Sequence, residues 1–337
     1  MKVLLVGFGT VGQGLVTILR DKAPELRERY GFAPRIVGVA TRSRGTLYHP
    51  DGLDPALLLD TFTSGYPEST GAIRDWPLER LIREGGADVL VEATPTDLTT
   101  AQPALDTCRA ALDAGHHLVL ANKGPIALAY AELRDQAARL GKRLLFEGTV
   151  MAGTPSLRLG MQALAGCTIR EARGILNGTT NYMLTQMEAG RDYTDVLAEA
   201  QRLGYAEADP TADVDGWDAA GKAIILAAAL FGQRLTFADM TVSGIRGLSS
   251  ADIAAAAAAG ERWKLIAHIT PQGGSVRAVR LPAAHPLAGV NGTTNAVTYS
   301  TDLLGDVTLI GAGAGGVQTG FGLLSDLLEL HRQVWPA

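Results

Sequence analysis

The chain has 337 residues, 47% hydrophobic and 19% charged, a balance that supplies a buried core and argues against a disordered or fibrous protein; the length suggests two domains. Thirty lysines and arginines against 35 aspartates and glutamates give a formal net charge of −5 with no long basic run, so nucleic acid and anionic membrane are not expected partners and a small-molecule substrate is. Two distant cysteines, Cys108 and Cys167, and six histidines without ligand spacing argue against a disulfide framework and a transition-metal centre.

The opening Met-Lys-Val-Leu-Leu-Val-Gly is an apolar run broken by glycine too early for a signal peptide, and no stretch of about 20 apolar residues follows, so no membrane span is expected and the expected location is the cytoplasm. Residues 2–6 predict a buried strand, 13–29 a helix and 35–40 a second strand. The stretch 43–75 reads as mostly irregular, with a short helix at 55–60. Helices at 77–84, 101–114 and 126–140 alternate with strands at 87–92, 117–121 and 143–147. Solid apolar strands alternating with helices predict a parallel sheet joined by right-handed crossovers. After Glu147 the alternation stops. Helices at 154–164, 179–188, 194–203, 215–231 and 250–260 mix with strands at 168–176, 262–270, 275–282 and 295–301, an α+β pattern, and 322–334 reads as an amphipathic helix.

The first strand runs into Gly7-Phe8-Gly9-Thr10-Val11-Gly12, a GxGxxG at a strand-to-helix junction. Gly7 permits a tight turn, Gly9 lets the backbone approach a pyrophosphate, and Gly12 allows close packing of helix on strand, while the helix N-terminus offers free N–H groups to the anion. The predicted fold is therefore α/β, a Rossmann-type doubly wound parallel sheet, with a second α+β domain. Residues 1–148, with 305–337 packing back, are expected to form the dinucleotide-binding domain and 149–304 the other. The second strand ends in Ala40-Thr41-Arg42-Ser43-Arg44, without the acid that usually holds a ribose 2′-hydroxyl; Arg42 and Arg44 suit a 2′-phosphate, which favours NADP(H), with NAD(H) as the alternative. Beyond the ends of later strands, Thr94 and Pro95 are placed to touch the nicotinamide end, and Lys123 projects from the next turn.

A run of five acids between Gly204 and Lys222 leads into an apolar helix on which Asp218 and Lys222 are i,i+4 neighbours. An isolated pair of this kind is usually a solvated surface ion pair. Here the helix is apolar from 217 to 231, hence buried, and a charged pair on a buried helix needs a reason.

The segment Gly204-Tyr205-Ala206-Glu207-Ala208-Asp209-Pro210-Thr211-Ala212-Asp213-Val214-Asp215-Gly216-Trp217-Asp218 through Lys222 resembles the signature of the homoserine dehydrogenases at every fixed position. Further stretches fit in the family's order: Gly7–Gly12, Glu92–Thr96, Ala121–Pro125, Glu147–Pro155, Ile175–Tyr182, His285–Ala288, Thr301-Asp302 and Gly311–Gly315. The resemblance implies NAD(P)-dependent interconversion of L-aspartate 4-semialdehyde and L-homoserine, a step of threonine and methionine biosynthesis, by a homodimer. It implies that Lys222 donates a proton to the aldehyde oxygen, that Lys123 is a second lysine near the reacting carbon, and that Glu207 and Asp218 hold the substrate, with Asp213 in support and Asn177, Gly178 and Thr179 lining the pocket. It implies that Gly315 approaches the cofactor, and that Glu147, Val150, Ala152 and Thr154 form a loop that holds Na+ or K+. Many relatives carry a fused aspartate kinase or an ACT domain; neither is expected here, and so neither is threonine feedback through an ACT domain. The last loop, Gly311-Ala312-Gly313-Ala314-Gly315-Gly316-Val317, departs from the family's usual wording. Two alternatives stand beside this reading: another Rossmann amino-acid dehydrogenase or reductase, and a non-catalytic dinucleotide-sensing protein.

Overall fold

The computed structural model describes residues 1–61 and 70–335, which fall into two compact units, Met1–Gly153 with Gly315–Ala337 and Thr154–Ala314. In the first unit the described residues form strands β1 (Lys2–Val6), β2 (Arg35–Thr41), β3 (Gly45–Tyr48), β4 (Ile73–Arg74), β5 (Val89–Glu92), β6 (His117–Leu120) and β7 (Leu144–Leu145), in the spatial order β4-β3-β2-β1-β5-β6-β7. The five strands β2-β1-β5-β6-β7 run parallel and β3 and β4 add an antiparallel edge, so the Rossmann-type fold is as expected. The stretch 43–75 is less irregular than its composition suggests, because β3 and β4 take their hydrogen bonds from β2 and from each other; its residues 62–69 lie outside the described residues.

Register fixes the working edge of this sheet. Val6 pairs with Ala40 and with Glu92, and Glu92 with Leu120, so β1, β2, β5 and β6 end level and their following turns leave from the same edge. In an open parallel sheet ligands sit beyond that edge, at the point where strand order reverses. The core beneath is Val3, Leu5, Val89, Val91 and Val119 with Leu15, Val16 and Leu19 of the first helix and Leu323, Leu324 and Leu327 of the last.

The single helix expected at 13–29 is two, Thr10–Asp21 and Ala23–Tyr30, because Pro24 interrupts the first after Asp21 and opens the second. The last helix, Gly316–Val334, begins earlier than expected and lies against Thr10–Asp21 with backbones in near contact. A Cβ added at Gly14 would meet the Gly316 carbonyl oxygen at 2.2 Å, and one at Gly320 the Leu15 nitrogen at 2.5 Å.

The second unit is a sheet of strands β8 (Ile169–Ile175), β9 (Met240–Val242), β10 (Glu261–Thr270), β11 (Gly273–Pro282), β12 (Thr294–Thr301) and β13 (Gly305–Ala312), ordered β13-β12-β8-β10-β11-β9 and antiparallel except for β9 with β11. Residues 305–314, which the sequence reading assigns to the first domain, stand here because β13 pairs with β12 along its whole length, from Thr301↔Gly305 to Thr294↔Ala312. The helix Trp217–Phe231 is apolar apart from Asp218 and Lys222 and is buried over Ala219–Ala228, stopped by Gly232 in a left-handed conformation (φ 64°). Among the described residues no helix is long and apolar enough to cross a membrane.

Candidate active site

The turn after β1 is built as a phosphate cradle. Gly7 has φ 97°, and a Cβ there would lie 2.5 Å from the Ala93 carbonyl carbon; one at Gly12 would lie 2.4 Å from the Gly7 oxygen. A Cβ at Gly9 would meet nothing within 4 Å, so that side of the turn is open. Gly9 is the N-cap of Thr10–Asp21 and supplies no side-chain cap, which leaves the leading N–H groups for an anion. This open cradle fits a dinucleotide pyrophosphate. Thr10 is exposed and Val11 half-buried there. The Phe8 ring is buried in the core, and its main chain lies in the turn.

The other sequence-predicted cofactor residues of this unit come to the same edge. The Gly7 nitrogen donates to Ala40 O at 2.9 Å, which ties the turn to the end of β2, and Arg42 and Arg44 follow as exposed side chains in the β2–β3 turn. Thr94 and Pro95 follow β5; Lys123 opens the helix Lys123–Arg139 directly after β6, three residues earlier than predicted, because Asn122 caps it by accepting from Gly124 N at 3.0 Å. The Lys123 nitrogen donates to Thr96 Oγ1 at 3.3 Å. Gly315, with φ 124°, caps the last helix, and a Cβ on its neighbour Gly316 would meet Thr10 Cγ2 at 2.6 Å, so the terminal loop abuts the glycine turn.

Sequence reasoning quoted Glu92 and Asn122 as motif residues without giving them work. Glu92 is fully buried, and its Oε1 accepts from Thr94 N at 2.8 Å, from the Thr94 hydroxyl and from Asn122 Nδ2 at 3.4 Å. Burial pushes its carboxyl above the ordinary range, against the pull of the Thr94 and Asn122 donors. The signal was a charged residue ending a strand otherwise solidly apolar.

In the second unit Lys222 and Asp218 form the expected i,i+4 pair, Nζ to Oδ2 2.9 Å, with Lys222 only 7% exposed. The same Nζ donates to the Leu176 carbonyl at 2.6 Å. Asn177 Nδ2 donates to Asp213 Oδ1 at 2.6 Å and to Asp218 Oδ2 at 3.0 Å, while Asn177 Oδ1 caps the helix Gly178–Glu188 by accepting from Thr180 N at 2.9 Å. Burial, then the negative charge of Asp218, raises the Asp213 carboxyl above its usual value. A buried ammonium costs several kcal/mol to desolvate unless ionic and hydrogen-bond partners surround it, which these groups do. Gly178 is half-buried, and Thr179 is buried with its hydroxyl donating to Tyr205 O at 2.6 Å. Glu207 is not brought into this cluster: its side chain is exposed and its carbonyl accepts from Gln201 Nε2 at 3.1 Å, which holds the loop rather than the carboxylate.

Glu147, Val150 and Ala152 are buried in the first unit; Glu147 N donates to the buried Asp326 Oδ2 at 2.8 Å, and Ala152 is left-handed at φ 51°. Thr154 opens the second unit, its hydroxyl donating to Ala312 O at 2.9 Å. Carbonyls with one carboxylate are an all-oxygen donor set, suited to a hard cation. Among the described residues no group of three or more His, Cys, Asp or Glu could hold a metal ion.

A parallel sheet ending in a dinucleotide cradle, in one chain with a buried lysine–carboxylate cluster, defines a nicotinamide-dependent oxidoreductase. Family models described as "Homoserine dehydrogenase, NAD binding domain" and "Homoserine dehydrogenase" match residues 7–147 and 155–328. The chain is 43% identical to an NAD(+)-dependent homoserine dehydrogenase of Pseudomonas canavaninivorans, covering 98% of this chain and 96% of that protein, and 38% identical to a homoserine dehydrogenase of Methanocaldococcus jannaschii, covering 98% of each. Among solved structures it resembles a homoserine dehydrogenase of Thiobacillus denitrificans (TM-score 0.85, 33% identity, 100% of this chain and 74% of that one) and a hyperthermophilic archaeal homoserine dehydrogenase in complex with NADPH (TM-score 0.83, 29% identity, 98% of each). The chain belongs to the homoserine dehydrogenase family.

Proposed function

We propose that the chain interconverts L-aspartate 4-semialdehyde and L-homoserine with Lys222 as the group that moves the proton at the substrate oxygen. The observation that carries this reading is the Lys222 ammonium, buried and held between Asp218 Oδ2 and the Leu176 carbonyl. When bound, the nicotinamide dinucleotide exchanges a hydride with the substrate carbon. Lys222 offsets the negative charge that grows on the aldehyde oxygen and donates its proton there; in the other direction it takes the hydroxyl proton. Asp218 pairs with the lysine and aims it, and Asn177 and Asp213 keep Asp218 in place. Asp218 and Glu207 meet the substrate's hydroxyl and ammonium end, with Asn177, Gly178 and Thr179 as the pocket wall and Lys123 as the second lysine near the reacting carbon.

Gly7–Gly12, Thr94, Pro95 and Gly315 hold the dinucleotide. Arg42 and Arg44, exposed at the end of β2 with no acid between them, support NADP(H), with NAD(H) as the alternative that the name of the Pseudomonas relative brings forward. The oxygen donors of Glu147, Val150, Ala152 and Thr154 suit Na+ or K+. A homodimer is supported by the edge strand β13 and its hairpin, which leave Leu303 71%, Leu304 63% and Ile310 54% exposed. We place the enzyme in the cytoplasm, in threonine and methionine biosynthesis, where its substrate and cofactor are at hand. The test is homoserine oxidation followed by reduced-nicotinamide absorbance with NAD and with NADP, each with and without Na+ or K+. Reduction of both cofactors by aspartate but not by homoserine would overturn the reading.

A further inference from the structure

We propose that Glu92 is a positioning residue of the dinucleotide site: its Oε1 gathers the Thr94 main chain, the Thr94 hydroxyl and the Asn122 carboxamide into one clamp that sets the nicotinamide end. The proposal rests on the reading that the dinucleotide lies along this edge of the sheet.

Glu92 ends β5 level with Val6 and Leu120, at the strand-order reversal, and is 0% exposed. All of its hydrogen bonds converge on Oε1, from Thr94 N, Thr94 Oγ1 and Asn122 Nδ2, while Oε2 is buried with no partner. Asn122 extends the clamp. Its Nδ2 also reaches Thr94 Oγ1 at 3.0 Å and Pro95 O at 3.2 Å, and its Oδ1 accepts from Gly124 N. One buried carboxyl thus fixes both the turn that carries Thr94 and the helix start that carries Lys123.

Thr94 and Asn122 act on this carboxyl and the buried Cys108 thiol feels its charge; none of the three is a cation, and burial pushes the carboxyl above the ordinary range. An ionised carboxylate here would be a buried charge without a counter-charge. All three donors converge on Oε1, the pattern of an accepting carbonyl oxygen, and burial favours the uncharged acid. The difference matters at this place because the oxidised nicotinamide ring is cationic and the reduced ring is neutral. A carboxylate beside the ring would favour the oxidised cofactor; a neutral acid positions the ring without biasing its oxidation state.

The test compares Glu92→Gln, Glu92→Ala and Thr94→Val in the full-length protein. Affinities for oxidised and reduced cofactor are measured by calorimetry and nucleotide fluorescence, together with homoserine oxidation and thermal melting. Glutamine keeps an acceptor at Oε1 and no charge, so affinity is expected to stay within about threefold of wild type, with the oxidised-to-reduced affinity ratio unchanged. Alanine frees three donors and is expected to weaken both cofactor forms by about tenfold or more. Should Glu92→Ala not fold, Thr94→Val removes one donor with little change of shape, and is expected to weaken binding about fivefold at an unchanged melting temperature. Glutamine as damaging as alanine, a glutamine-induced shift of the ratio toward the reduced form, or wild-type binding by Thr94→Val would overturn the proposal. A wild-type protein that binds dinucleotide but does not oxidise homoserine would sink the activity reading alone, and the binding series would still decide the role of Glu92.

Discussion

Asn177 Nδ2 bridges two carboxylates, 2.6 Å from Asp213 Oδ1 and 3.0 Å from Asp218 Oδ2, and the second of these is the oxygen that holds the Lys222 ammonium. The chain of bonds runs Asp213–Asn177–Asp218–Lys222. One end is an acid on the short helix Thr211–Val214, and the other is a buried cation on an otherwise apolar helix.

Removing that cation is the direct test of its chemistry. Lys222→Ala is expected to lower turnover by about 10²- to 10⁴-fold, the usual worth of a positioned general acid, while cofactor affinity changes little. Lys222→Arg is expected to rescue poorly, because a planar guanidinium does not fit where a compact ammonium meets Asp218 Oδ2 and the Leu176 carbonyl. Stopped-flow turnover beside cofactor titration separates the two effects. Equal losses in both would assign Lys222 to folding rather than to catalysis.

Asp213 predicts a trade between stability and activity. Its carboxyl is raised by burial and by the charge of Asp218. A folded-state value above the unfolded one means that the protonated form favours folding; this stability is present below the unfolded value and is lost as pH rises through the folded value. At neutral pH the ionised group therefore works against the fold. Asp213→Asn removes the charge, keeps an acceptor for Asn177, and is expected to raise Tm at pH 7 by about 2–4 °C while lowering turnover. The Tm difference should shrink as the buffer is acidified; a constant or growing difference would reject the explanation.

The glycine turn separates folding from binding. At Gly12 a Cβ would strike the Gly7 oxygen at 2.4 Å, so Gly12→Ala must displace the first helix and should cost both stability and cofactor affinity. At Gly9 a Cβ meets nothing within 4 Å, so Gly9→Ala should melt within about 1 °C of wild type and lose cofactor affinity because the methyl enters the pyrophosphate's space. Melting curves and nucleotide titrations of both variants check this, and unchanged binding by Gly9→Ala would move the pyrophosphate elsewhere.

What the sequence made legible follows the range of the forces involved. Gly7–Gly12 could be read because a tight turn and a close helix are local demands that only glycine meets. Lys222 could be read because a cation on an apolar helix violates local patterning. Strand β13 could not, since its half-exposed Gly-Asp-Val-Thr-Leu-Ile-Gly-Ala lacks clean alternation and owes its form to pairing with β12. For Glu92 the charge ending an apolar strand was visible but its work was not, because its partners meet it only when the turns after β5 and β6 close over it. Glu207, whose place in the motif suggests a substrate ligand, stands outside the hydrogen-bonded cluster, its carboxylate exposed and its carbonyl holding the loop.

Acid sensitivity is expected from His117, which begins β6 with its Nδ1 accepting from Arg143 N at 3.0 Å. Burial is the main cause that lowers its value from 6.5 to about 4. A depressed folded-state value means that the unfolded chain binds the proton more readily, so this part of the stability is complete above about 6.5 and is lost as pH falls toward 4. His117→Gln should flatten the denaturant midpoint across that window. A wild-type midpoint that holds level from pH 7 to 4 would show that the imidazole titrates freely in the fold.

Cofactor choice turns on Arg42 and Arg44, which stand exposed in the turn directly after β2. A guanidinium pairs with the 2′-phosphate through charge-assisted bonds and gains little from a ribose hydroxyl. Each bond of that kind is worth about 1.5–3 kcal/mol, so Arg42→Ser and Arg44→Ser should each weaken NADP(H) by about 10- to 100-fold and leave NAD(H) within about threefold. The loss should shrink as ionic strength rises, since exposed charges are screened within about 10 Å at 0.1 M salt. Titration of both cofactors against both variants at low and high salt gives the answer. A parallel loss for NAD(H) and NADP(H) would mean that the arginines shape the turn rather than read the phosphate, and the preference would then rest on the unsubstituted ribose.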